Sequence, residues 1–103
     1  MEKIKVFLVD DHDILMDGIE AILRDSKKIT VVGKANAVEM AEQYIKVKMP
    51  DLVITDISLG VKSGIDLTKH IKKHYPGMKV IALSMHDDFF NMSAMMKAGA
   101  SGY

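Results

Sequence analysis

Short apolar runs alternate with amphipathic stretches along this chain, and the alternation predicts strands and helices in turn. Ile4 to Val9 is apolar-rich, β-branched at Ile4, Val6 and Val9, and stops at Asp10-Asp11. From Ile14 the period lengthens, so that Leu15, Ile19, Ile22 and Leu23 share one face of a first helix. A second strand begins over Ile29 to Val32. Asn36 with Glu39 has capping-box spacing for a second helix, whose inner face is Val38, Ala41 and Ile45. Pro50 closes that region. Asp51 to Asp56 reads as a third strand. Ser63 and Asp66 form another capping-box pair, opening a third helix that runs to about His74. Pro76-Gly77 marks a turn, and Val80 to Leu83 is a fourth strand ending at Ser84. Asp87 and Asp88 suit the first turn of a fourth helix, where the macrodipole favours anions. Gly99 suits its left-handed cap, and Ala100 to Tyr103 begins a fifth strand.

Strands alternating with helices imply an α/β fold: a doubly wound parallel sheet with helices on both faces and right-handed crossovers. The strands read as near-continuous apolar runs, as a sheet covered on both sides requires. Alternation by itself leaves the strand order open. A length of 103 residues means one domain over 1–103. Lys plus Arg is 14 and Asp plus Glu is 14, so this segment lacks the basic excess expected of a nucleic-acid grip. With no cysteine there is no disulfide framework, thiolate chemistry or cysteine zinc site. No run reaches the roughly 18 apolar residues of a membrane span, and the N-terminus lacks the apolar core of a signal peptide. A cytoplasmic location is expected.

The polar residues that close the strands carry the chemistry. Asp10 and Asp11 close the first, Asp56 the third and Ser84 the fourth. In a parallel sheet these ends lie at one edge, where open α/β folds bind ligands. An Asp after a strand is commonly a turn or cap residue; the conjunction at successive strand ends argues for a site. Converging carboxylates repel one another, and a hard divalent cation such as Mg²⁺ resolves the conflict through oxygen ligands. A carboxylate beside such a metal can attack phosphorus and form an aspartyl phosphate.

At these residues the chain resembles the receiver domain of two-component response regulators. The matching segments are Val6-Phe-Leu-Val-Asp-Asp-His12, Asp51-Leu-Val-Ile-Thr-Asp56, Ser63-Gly-Ile-Asp-Leu67, Val80-Ile-Ala-Leu-Ser84 and Lys97-Ala-Gly-Ala-Ser-Gly-Tyr103, in the family's order. The resemblance implies a flavodoxin-like sheet of order 2-1-3-4-5. It also implies a phosphorylation-dependent switch rather than an enzyme, taking its phosphoryl group from a sensor histidine kinase. Residue by residue, Asp56 resembles the phosphoacceptor, Asp11 the direct Mg²⁺ ligand, and Asp10 a neighbour acting through water. Ser58 resembles the residue lending its backbone carbonyl to the metal, Ser84 the hydroxyl that binds the phosphoryl group, and Tyr103 the aromatic switch residue. The run Ala82-Leu-Ser-Met-His-Asp-Asp88 is most similar to regulators whose receiver precedes a LuxR-type helix-turn-helix, which implies transcription control through a DNA-binding segment outside this chain.

Three departures stand out. Leu59-Gly60 replaces the family's Met-Pro pair. The family's lysine, expected a few residues after Tyr103, is not in the chain. Nor are most of the fifth strand and the fifth helix. That ending leads to the expectation of an exposed fourth strand beside an apolar fourth helix, and of a homodimer or swapped dimer through the two. A stand-alone receiver is the nearest alternative. A haloacid-dehalogenase-type phosphatase is another, since Asp11-His12-Asp13 fits D-x-D formally. A flavin module is disfavoured, because an acidic first loop repels phosphate. The four histidines read as non-ligands: His12 and His86 flank the crevice. His70 and His74, at i, i+4 spacing, lack the HExxH context and suit a solvated face. Phe89, Phe90, Met92, Met95 and Met96 make the fourth helix apolar, suiting core packing or an adaptable partner surface.

Overall fold

The computed structural model describes residues 3–59, 62–83 and 89–102. Four parallel strands form the main sheet: β1 (Ile4–Val9), β2 (Ile29–Ala35), β3 (Leu52–Asp56) and, after a two-strand hairpin, β6 (Lys79–Leu83), in the order β2-β1-β3-β6. The helices are α1 (Asp13–Arg24), α2 (Val38–Lys48), α3 (Gly64–His74) and α4 (Phe89–Ala98). Gly102 makes a parallel bridge to Ile81 on the free side of β6, where a fifth strand would lie. Ser101 N–H donates to the Val80 carbonyl at 2.7 Å, so this pairing has begun.

Period-2 alternation divides the strand residues between two cores. Phe7, Val9, Val53, Val80 and Ala82 face one side, where α2, α3 and α4 add Val38, Ala41, Ile45, Leu67, Ile71 and Met95. Val6, Leu8, Leu52 and Ile54 face the other, covered by Met16, Ile19 and Leu23 of α1. The inner face predicted for α2 is fully buried. That predicted for α1 is corrected: Ile22 is 73% exposed, and Met16 takes the buried place. With 3.6 residues per turn, 16, 19 and 23 form the tighter stripe, leaving 22 at its margin.

The Ser63–Asp66 capping box is present in both directions: Asp66 N–H donates to Ser63 Oγ at 3.3 Å, and Ser63 N–H to Asp66 Oδ2 at 3.0 Å. The box expected from Asn36 is corrected, since α2 starts one residue later and its N-cap is Ala37, with no side-chain cap bond. Met49 closes α2 in a left-handed conformation (φ 45°), and Gly99 closes α4 at φ 111° as expected. Between β1 and β2 the register slips at Val6/Phe7, so Val31 opposes Val6 and Gly33 opposes Phe7. A Cβ at Gly33 would stand 2.6 Å from the Phe7 ring, so the bulge and the missing side chain together make room for it.

An unpredicted hairpin, β4 (Ser58–Leu59) with β5 (Lys62–Ser63), follows Asp56. Gly60, and the Asp87-Asp88 start expected for the fourth helix, lie outside the described residues.

Candidate functional site: a carboxylate cluster at the sheet edge

From β1 the chain crosses to β2 on one side, and β3 lies on the other, so the crevice between β1 and β3 is the switch point of the sheet. Asp10 and Asp11 leave β1 there, and Asp56 is the last residue of β3. One ligand atom from each of Asp10, Asp11, His12 and Asp56 lies within 4.8 Å of all the others. Asp10 is buried at 4% exposure while Asp11 is exposed, so the cluster runs from the interior to solvent.

The Asp10 and Asp56 carboxylates are each oriented by backbone near them. Asp10 N–H donates to the Ala35 carbonyl at 3.1 Å, extending the β1–β2 ladder past the last strand residue. Asp10 Oδ1 accepts from His12 N–H at 2.8 Å. Asp56 Oδ1 accepts from Ile57 N–H at 2.7 Å. Thr55, fully buried, donates its hydroxyl to the Asp56 carbonyl at 2.9 Å. Gly64 N–H donates to the Ile57 carbonyl at 2.6 Å and ties the start of α3 to the end of β3.

His12 flanks the crevice as expected, and the structure adds its contacts. His12 Nδ1 lies 2.7 Å from Asp10 Oδ1 and 2.9 Å from Asp11 Oδ1, so its ring bridges two carboxylates. The hydrogen bond to Asp10 raises its pKa above the usual 6.5, and the charges of Asp11, Asp10 and, last, Asp56 add to that, opposed only by slight burial. A cation is thus favoured where three carboxylates meet. Sequence spacing carried a weak signal for this, because an i, i+2 contact depends on the non-helical backbone of His12 (φ −106°, ψ 96°).

Of the other expected site residues, Ser58 is placed through its backbone, which pairs with Ser63 in the hairpin. Ser84, His86 and Tyr103 lie outside the described residues. In the fourth helix Met95 is fully buried and Met96 is about half exposed, so core and surface share the methionines. An open apolar groove of about 750 Å³, lined by Ile4, Pro50, Leu52, Tyr75, Met78 and Ile81 among others, lies at the opposite ends of the strands and has no part in the cluster.

The donor set fits a hard cation. Three carboxylates converge on one point, and oxygen donors at such a centre suit Mg²⁺.

A doubly wound parallel sheet with acidic residues gathered at its switch point defines the class: a flavodoxin-like α/β domain with a site able to hold a metal. Residues 6–103 match the family model described as the response regulator receiver domain, and the chain belongs to that family. It is 35% identical over 105 residues to the transcriptional regulatory protein DegU of Brevibacillus brevis, covering 98% of this chain and 43% of that one. It is 37% identical over 100 residues to the response regulator UvrY of Escherichia coli (strain K12), covering 97% and 46%. The chain thus spans somewhat under half the length of these relatives. Among solved structures, a LuxR-family two-component response regulator from Aurantimonas sp. SI85-9A1 superposes with a TM-score of 0.93 at 28% identity, covering 99% of this chain and 73% of that one. The domain is regulatory, and the phosphatase and flavin alternatives are set aside. Among the described residues no helix is long and apolar enough to cross a membrane.

Proposed function

We propose that residues 1–103 form one phosphoacceptor domain in which Asp56 takes a phosphoryl group from a sensor histidine kinase. The observation that carries this reading is the convergence of Asp10, Asp11 and Asp56 within 4.8 Å at the C-terminal edge of the sheet. In the step proposed, a carboxylate oxygen of Asp56 attacks phosphorus as the phosphorus–nitrogen bond of the donor phosphohistidine breaks. The imidazole leaves with the electron pair and takes up a proton. Water later attacks the acyl phosphate and returns Asp56 and inorganic phosphate.

Asp11 and Asp56, the Ser58 carbonyl, and Asp10 through water would hold Mg²⁺. When bound, that ion supplies charge against the phosphoryl oxygens. The Ile57 N–H holds one Asp56 oxygen in place, and the Thr55 and Gly64 contacts fix the backbone beneath it. Ser84 follows β6 in sequence and Tyr103 follows the Gly102 bridge. In this reading Ser84 binds the phosphoryl group, and Tyr103 changes rotamer with it. The likeness to DegU, described as a transcriptional regulatory protein, supports a DNA-binding output segment elsewhere in the whole protein; a cytoplasmic setting goes with that reading.

Acetyl phosphate with Mg²⁺ tests the assignment. Mass spectrometry should locate one phosphoryl group on Asp56, and Asp56→Asn should abolish labelling. A phosphoryl group on Asp10, Asp11 or a histidine would overturn it.

A further inference from the structure

Folding brings a carboxylate to the two histidines that the sequence alone places on a solvated face. His70 and His74 stand one turn apart on α3, with ring centroids 4.4 Å apart and planes at 64°. Glu42, from α2, puts Oε1 3.9 Å from His70 Nδ1. These three, with Gln43, Lys46 and Tyr75, line a surface cavity of about 410 Å³. Nothing in the phosphoacceptor chemistry uses them. Gly64 begins α3 beside Asp56, and at 1.5 Å rise per residue His74 lies roughly 15 Å further along.

We propose that His70, His74 and Glu42 form a binding site for a borderline divalent transition metal of the Zn²⁺ or Ni²⁺ class, bridging α2 and α3. Imidazole nitrogen suits Zn²⁺, Ni²⁺ and Cu²⁺, whereas Mg²⁺ selects oxygen, so the seam and the sheet edge differ in the ions they take. Histidines at i and i+4 share a helix face, the spacing by which two imidazoles reach one ion. A nearby carboxylate completes a nitrogen and oxygen set that Zn²⁺ accepts. An ion pair between His70 and Glu42 accounts for one histidine alone; the second ring packed against it is what a chelating pair supplies. Among the described residues, only the Asp10–Asp11–His12–Asp56 group already holds its ligand atoms within 4.8 Å. Glu42 and His70 are already that close, so the set closes on the ion by side-chain rotation that brings His74 to the other two. The Lys46 charge opposes the ion and keeps the affinity modest.

The test is an NMR titration of the full chain with Ni²⁺ in saturating Mg²⁺, which keeps the sheet-edge carboxylates occupied. Amides near Glu42 and from His70 to Tyr75 should broaden at the lowest Ni²⁺ additions. His70→Ala and His74→Ala should each weaken binding by at least about tenfold, since even loss of an outer-shell partner costs that much. Asp11→Asn should leave the seam signal unchanged. Zn²⁺ should raise the melting temperature of the parent and not of His74→Ala. Broadening confined to Asp10–His12 and Asp56, or binding indifferent to His74→Ala, would overturn the proposal. So would a Glu42→Gln variant that binds as tightly as the parent, because the ion would then not bridge the helices.

Discussion

Gly64 sits directly against the backbone carbonyl of Asp56: a Cβ at position 64 would fall on the Asp56 oxygen and within 3.1 Å of the Ile57 Cα. The absence of a side chain at the first residue of α3 is therefore what lets the helix abut the strand that carries Asp56. The same carbonyl accepts the Thr55 hydroxyl at 2.9 Å, so it has little room to move.

Gly64→Ala is accordingly expected to act on both stability and function. Backbone must shift to admit the methyl group, at a cost of about 1–3 kcal/mol typical of overpacking, readable by urea denaturation. Because Asp56 shifts with it, acetyl phosphate labelling should slow by about tenfold or more in protein that remains folded. Normal labelling in a destabilised variant would show that Gly64 serves packing alone.

Asp11→Ala should abolish Mg²⁺ binding while leaving the fold intact, since Asp11 is exposed. The chain has no Trp, so amide shifts of Asp10–His12 and Asp56–Ile57 are the natural readout. Parent-like shifts in the variant would remove Asp11 from the metal site.

Met49→Gly should stabilise the protein. Met49 is the described non-glycine residue with positive φ, a conformation that costs an L-residue about 1–2 kcal/mol. The greater flexibility of unfolded glycine offsets about 0.5–1 kcal/mol of that, leaving a gain of about half a kcal/mol. A higher denaturation midpoint with an unchanged slope is the expected result; a lower midpoint would mean that the Met49 side chain contributes more by packing than its backbone costs.

Lys34 links β2 to α1 through Glu20 Oε1 at 2.8 Å and Asp17 Oδ1 at 3.2 Å. The hydrogen bond to Glu20, then that to Asp17, raises its pKa above the usual 10.5. A folded pKa above the unfolded one means that the stabilisation is fully present below about 10.5 and is lost as pH rises through the folded value. Asp17 is solvated and Glu20 only partly buried, so the effect is small and should weaken strongly at about 1 M salt. Comparing Lys34→Met with the parent at pH 7 and pH 11 checks the sign: the difference should shrink at the higher pH. A difference that grows would mean that Lys34 stabilises by something other than its charge.

Local rules sufficed for much of this molecule. The apolar runs that became β1, β3 and β6, the buried face of α2, the Ser63–Asp66 cap and the left-handed Gly99 could all be read from residue type and spacing, because each depends on neighbours within one or two turns. Readings failed where a choice hung on one residue of phase. Ile22 lies at the edge of a helical stripe, and Asn36 stands one place ahead of the residue that became the cap.

The sequence by itself determined the alternation of elements and which carboxylates end the strands, since strand and helix periods and the chemistry of Asp10, Asp11 and Asp56 are local properties. Only the tertiary structure decided that these carboxylates meet within 4.8 Å, because 44 residues lie between Asp11 and Asp56 and the strand order between them is a long-range choice. It alone decided that His12 folds back between Asp10 and Asp11, that Gly64 must be bare beneath Asp56, and that Glu42 reaches the His70–His74 pair. The Gly64 and Glu42 contacts depend on how two elements pack, and the His12 contact on the non-helical backbone of that residue, which no one-dimensional pattern records.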